Sequence, residues 1–447
     1  MSNEQSLNKM ETKAMLPLII SMALPPLCSM FMQYMYNFVD CIFVSWISED
    51  ALTAVSLSFP ITTLMLAFSI GTGVGINVLV ARYLGEHDSD GADNIVSHGL
   101  ILSALFGAFL TAVFFAVLKP YFGWFIEDED IYRLALDYMG ICIMMQIPNM
   151  VHIAIQKIIQ GTGNMLAPMG FQIAGVVLNF VLDPVLIFGI GPFPEMGIKG
   201  AAVSTVLGYT LSMILAFYVL IFTKQKVKIK VKGFRLEPNI FLKIFSIGMP
   251  SFIMNGLGAF MVTFANIFLI VYSTTAVAFF GAYFKAQQLV VMTVNGLIQG
   301  CIPIMSYNYG AKKKERLNQA FRYGTIIAVV MMGAGGIILS VFPEQILRVF
   351  QASDAMLELG IPGLRIMATS YIFNGIATMV ASYMQSCRNI RWSIIINLLR
   401  QLVVLLPMMW LLTKSIGMAG VWWAFPVAEI VTCIVCAFAL KRIRIDI

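Results

Sequence analysis

Three acids and two bases lie in stretches otherwise apolar enough for a bilayer: Asp40, Asp183, Glu429, Lys285 and Arg400. A carboxylate at such depth is expensive, so it reads as a functional site facing protein or water rather than lipid. Asp183 sits in the run AGVVLNFVLDPVLIFGIGPFPEMGIKGAAVST, residues 174–205, with Asn179 one helical turn before it. The i,i+4 spacing puts both on one face, where they can serve one guest. Pro184 follows at once, and its missing N–H and its ring free backbone groups beside the acid. Freed carbonyls are tolerated at that depth only against protein or a wet cavity. The plain structural alternative is a proline kink whose acid braces two helices.

Asp40 and Asp183 fall at matching depth, about 10 Å from the outer ends of their helices. Two carboxylates in one low-dielectric pocket cannot both stay charged without a cation or a shared proton. Asn179 and Thr205 add neutral oxygens, which suit a hydrated Na⁺ or a protonated pair equally well. Arg400 and Glu429 fall at equal depth across one helical hairpin, and there the structural reading is an ion pair clasping the two helices. Lys285 has no assigned partner. It either balances an acid of the first half or charges a cavity in the second.

The elements that must carry these residues follow from composition. With 59% hydrophobic and 12% charged residues and a mean hydropathy of +0.85, the chain is too apolar for a soluble globule. Twelve spans are expected, near 16–47, 52–81, 95–118, 132–157, 165–189, 198–223, 241–271, 276–305, 319–342, 357–386, 392–413 and 417–440. The first opens near Leu16 behind a polar segment without a small-residue cleavage site, so it reads as a start-transfer helix. Most of the 29 Lys and Arg residues gather on one side, chiefly in KQKVKIKVKGFR (224–235) and KKKER (312–316), while EDED (127–130) falls on the other. The asymmetry places both termini in the cytoplasm. It also makes the basic segment an orienting linker near anionic lipid rather than a nucleic-acid patch.

The chain repeats itself. Pro25, Gly85, Gln160 and Asn164 recur as Pro250, Gly310, Gln385 and Asn389, an offset of 225 residues, and Gly197 and Gly200 recur five residues earlier than that as Gly417 and Gly420. Six spans per copy is an even number, so both copies enter the membrane in the same direction around an axis along its normal. The expected fold is therefore an all-α membrane protein, twelve transmembrane helices in two pseudo-symmetric six-helix lobes. Residues 1–223 make one lobe, 224–240 a cytoplasmic basic linker, and 241–447 the other.

That is transporter architecture, and other chemistry finds little support. The seven cysteines are scattered, and the Cys433–Cys436 CxxC lies in an apolar helix without a second ligand pair. The histidines His87, His98 and His152 form no metal grouping, and no Ser/His/Asp cluster argues for an enzyme. GTGVG (71–75) sits mid-span without the lysine of a phosphate loop, so close helix packing explains it. Thirty methionines and 33 phenylalanines could line an adaptable cavity, though most pack helices or face lipid. A flippase for a lipid-linked or polyprenyl precursor is the runner-up, but it calls for a more cationic cavity than three acids against two bases. A channel fits poorly with paired repeats and a discrete carboxylate site.

Taken together, the residues resemble the multidrug and toxic compound extrusion (MATE) family of antiporters. The matching pieces in the first half are YNFVDCIFVSWI (36–47), QGTGNMLAPM (160–169), and LNFVLDPVLIF (178–188) followed by GIKGAAVST (197–205). In the second half they are YNYGAKKKERL (307–317), QSCRN (385–389), Arg400, Pro407, Pro426 and Glu429. Within the family the chain looks most like the DinF-like branch and is similar to the MepA-type multidrug pumps. The resemblance implies a monomeric exporter that alternates access and exchanges inward H⁺ or Na⁺ for outgoing, often cationic, drug-like compounds, with no other cofactor. It implies a coupling-ion site at Asp40, Asn179, Asp183 and Thr205. The NorM-like branch uses acids in spans seven and ten, where this sequence has Asn255 and Asn374, which shifts the weight onto the first lobe.

Overall fold

The computed structural model describes residues 9–230, 233–350 and 352–442; Val231 and Lys232 of the basic linker and both chain ends lie outside the described residues. Within them the chain is helical, with no strand. A short α1 (Lys9–Thr12) precedes α2 (Met15–Ser45), α3 (Glu49–Gly85), α4 (Ser89–Phe125), α5 (Glu129–Cys142), α6 (Gln146–Gly161), α7 (Leu166–Phe188) and α8 (Ile198–Phe222). The second copy comprises α9 (Pro238–Ile270), α10 (Thr274–Gly310), α11 (Lys314–Val341), α12 (Pro343–Val349), α13 (Asp354–Ala368), α14 (Tyr371–Ser386), α15 (Ile390–Leu398), α16 (Leu405–Ile416) and α17 (Ala419–Arg442). Eleven of the described spans are long and apolar enough to cross a membrane, and α13 with α14 adds a twelfth that is bent by 43°.

The repeat is written into the backbone as well as the sequence. Ser48 and Ser273, 225 residues apart, each cap the following helix by accepting the N–H of Ala51 and Ala276 at 3.0 Å. Left-handed residues fall in the same register: His87 (φ 58°) with Lys312 (φ 55°), and Gly163 (φ 91°) with Arg388 (φ 68°). Even the interruptions match. The fourth span breaks into a 3₁₀ turn at Ile143–Met145, and the tenth bends at Thr369–Ser370. In the tenth, the Thr369 and Ser370 hydroxyls donate to the carbonyls of Ile366 and Met367 at 2.7 and 2.6 Å, the local competition that bends helices.

Packing divides the chain into two compact units, Cys28–Phe252 and the residues up to Leu27 with those from Ile253 onward. The basic linker separates the copies in sequence, whereas the units divide inside α2 and α9, just past Pro25 and Pro250. In the Cys28–Phe252 unit the opening half of α9 lies on α3. Gly71 faces Phe252, Gly75 faces the Ile244 carbonyl, and the Phe68 and Phe252 rings stack at 4.6 Å. In the other unit the opening half of α2 lies on α10, where a Cβ at Gly296 would come within 2.6 Å of Leu27 Cγ and one at Gly300 within 2.8 Å of the Ala23 nitrogen. Gly71 and Gly75 correspond to Gly296 and Gly300 at the same offset. Small residues let the helices approach this closely, which is the use made of the GTGVG run.

Candidate ion-coupling site

In the Cys28–Phe252 unit, α2, α7 and α8 bring their polar side chains to one buried place. Helix α7 supplies Asn179 (3% exposed) and Asp183 (1%), α2 supplies Asp40 (7%), and α8 supplies Thr205 (9%). The α7–α8 approach depends on glycine: Gly175 lies against Gly208, and a Cβ at Gly208 would sit 3.1 Å from that of Asn179. Gly189, in the left-handed conformation with φ 70°, ends α7, and the return is tied by Met196 N–H to Leu186 O at 3.0 Å and Gly197 N–H to Ile187 O at 3.1 Å. This tight hairpin sets the α8 hydroxyls opposite the α7 amide and acid.

The four residues expected from sequence are thus neighbours, joined by two that were not anticipated. Asn179 Nδ2 donates to Thr205 Oγ1 at 3.3 Å and to Ser204 Oγ at 3.4 Å. Ser204 Oγ donates to Asp183 Oδ1. Tyr36 OH and Thr205 Oγ1 share a hydrogen bond of 3.0 Å. Asp40 and Asp183 lie close enough to act on each other electrostatically. Tyr36 stands one helical turn before Asp40 and Ser204 precedes Thr205, so both were within reach of a spacing argument. A lone hydroxyl in an apolar helix gives no signal of its own.

Among the described residues, three oxygens of this cluster are buried with no protein N–H or hydroxyl donating to them: Asp40 Oδ1, Asn179 Oδ1 and Asp183 Oδ2. Leaving such acceptors unpaired costs about 1–3 kcal/mol each, more when charged. The donor set is all oxygen and includes two acids, which fits a hard monovalent cation or protons and fits no soft metal.

The other in-span charges lie in the second unit. Arg400 meets Glu429 Oε1 at 3.0 Å, both side chains nearly buried, and Arg400 Nη1 donates to Thr378 Oγ1 at 2.5 Å. Asn374 Nδ2 donates to the same Glu429 oxygen at 3.0 Å. Arg400 stands on a π-helical turn, Leu399–Val403, closed by Val404 N–H to Leu399 O at 2.9 Å. Pro407, with no N–H to offer Val403, follows one turn later. Lys285 is exposed on α10 and makes no ion pair among the described residues.

The family model MatE matches residues 25–185 and 250–411, two segments whose starts are 225 residues apart. The chain belongs to the MatE family. Curated relatives of this MatE chain include a FAD transporter of Shewanella oneidensis, 26% identical over 95% of this chain and 94% of that protein. The multidrug export protein MepA of Staphylococcus haemolyticus is 22% identical over 99% and 96% of the two chains. Among solved structures, an outward-facing multidrug resistance MATE transporter superposes with TM-score 0.89 at 26% identity, covering 97% of this chain and 98% of that one. A MATE structure in the straight conformation gives 0.88 at 26% identity, covering 96% of each. The MatE chain is a membrane-spanning transporter and not an enzyme.

Proposed function

We propose that this MatE chain is a secondary active multidrug exporter, which moves organic, often cationic, compounds outward in exchange for H⁺ or Na⁺ by alternating access. Asp40, Asn179, Asp183 and Thr205 form its coupling site, with Tyr36 and Ser204 holding the set in place. The observation that carries this reading is the trio of donor-less buried oxygens between α2 and α7. Two ionised carboxylates there need a cation or a proton held between them. Ser204 keeps one Asp183 oxygen oriented, so the other stays turned toward the guest. The Tyr36–Thr205 bond fixes α2 against α8, so an ion that draws Asp40 toward Asp183 acts on the angle of α2. Coupling then requires only that the ion and the drug prefer different states of the transporter. Under this reading both termini are cytoplasmic, from the placement of Lys and Arg, and a single chain suffices for transport.

The test is uptake into everted vesicles of a fluorescent organic cation and, separately, of FAD, each driven by a Na⁺ gradient or a pH gradient alone. Asp40→Asn and Asp183→Asn, in protein that reaches the membrane, should each lose gradient-driven uptake more than drug binding. Wild-type pumping by both variants under the same gradient would place the coupling site elsewhere, with Lys285 and Glu429 the next residues to test.

A further inference from the structure

The first part of the linker, residues 224–230, is a fixed strap. From Lys224 to Lys230 the chain has no helix, and basic residues alternate with others: Lys224, Lys226, Lys228 and Lys230 against Gln225, Val227 and Ile229. Val227 is 1% exposed, while Lys224, Lys226 and Lys228 are exposed. Main-chain bonds hold this orientation. Lys228 N–H donates to Asp93 Oδ1 at 2.6 Å and Lys230 N–H to Ser97 Oγ at 2.7 Å, both on the first turns of α4. Donors two residues apart that bond the same helix are the sign of an extended chain docked along one edge. The Lys230 ammonium turns back to Asp90 at 2.7 Å. Farther along, the Glu237 N–H donates to His98 Nε2 at 2.9 Å, while His98 Nδ1 donates to Asn94 O at 2.9 Å.

A polybasic tail that only oriented the chain during insertion would need none of these bonds. The strap emerges from α8 and runs into α9 between side chains that look outward and apolar: Phe222 is 73% exposed and Leu242 68%. Their exposure marks lipid-facing span ends, so the lysine row stands at headgroup height beside them. We infer that Lys224 and Lys228 form a preset binding row for the phosphate of anionic phospholipids, and that α4 holds the row rigid. The inference rests on α8 and α9 crossing the membrane and not on the coupling site.

Native mass spectrometry of the full-length protein, titrated with phosphatidylglycerol and with phosphatidylcholine as reference, tests it. Wild type should bind phosphatidylglycerol more tightly. Lys224→Gln and Lys228→Gln together should weaken that binding by on the order of five-fold per lysine at low salt, and leave phosphatidylcholine unchanged. Asp93→Ala with Ser97→Ala keeps every lysine and removes both acceptors that pin the strap; it should also weaken phosphatidylglycerol binding. Equal binding of the two lipids by wild type, or unchanged phosphatidylglycerol binding in the double lysine variant, would overturn the row. Unchanged binding in the unpinned variant would overturn its fixed presentation. Loss of binding to an acidic peptide alone would assign the lysines to a protein partner instead. Transport needs no measurement, so failure here and failure of the coupling site are separable.

Discussion

Ser204 has one proton and two claims on it, Asp183 Oδ1 and the Ala201 carbonyl, the latter at 2.9 Å. A charged Asp183 strengthens the first claim and a neutral one weakens it, because hydrogen bonds to ionised acceptors are the stronger ones. Ser204→Ala should therefore lower stability by about 1–3 kcal/mol and blunt the gradient dependence of export, whereas Ser204→Thr keeps the hydroxyl and most of both. Thermal unfolding in detergent and vesicle uptake read the two effects, and an alanine variant with wild-type coupling would remove Ser204 from the site. Glu429 calls for the opposite expectation. Breaking a buried pair leaves a charge unpaired, at a cost of about 3–5 kcal/mol, so Glu429→Gln should lower folded yield, and Arg400→Met added to it should recover part. Normal abundance of Glu429→Gln with abolished ion-driven transport would show that the pair is no mere clasp. At this scale the neighbourhood of Asp40, Asn179 and Asp183 was legible because acids and amides are rare and costly in apolar helices, while Thr205 was singled out only beside them and by family resemblance. Tyr36 and Ser204 were not, because their types are ordinary there and only contact gives them a role.

Helices of the two copies match even where regular structure fails, and the exceptions locate what each copy has made of its position. Gly163 and Arg388 both end a span in the left-handed region, but only glycine does so freely. Gly163→Ala should cost about 1–2 kcal/mol, read as a lower unfolding temperature; Gly123→Ala, where a Cβ meets nothing within 4 Å, is the control. Arg388→Gly should raise that temperature, and a fall would give the arginine a contact that outweighs its strain. Gly175 and Arg400 also share a repeat position. In α7 the glycine lets α8 close in along an unbroken helix, while the arginine's helix widens into a π turn to reach Thr378 and Glu429. The spans themselves were readable from apolar length. The bend at Thr369–Ser370 was not, since no proline or glycine marks it and hydroxyl-to-carbonyl bonding leaves no trace in hydropathy.

At the level of the whole chain, each copy contributes its opening half-helix to the compact unit built mostly from the other. Hydrophobic periodicity reveals that a helix has a partner but not which one, so sequence placed the division at the linker. Gly75→Leu and Gly300→Leu should each remove one seat and lower folded yield far more than Gly123→Ala, with equal yields overturning the need for close approach. The two seats also differ in time. Gly71 and Gly75 are made roughly 175 residues before Gly248, their partner on α9. Ala23, by contrast, is made roughly 280 residues before Gly300, a wait on the order of tens of seconds at bacterial synthesis rates. Both seams therefore wait for a later partner, and the second stands open for roughly 100 residues of synthesis longer than the first.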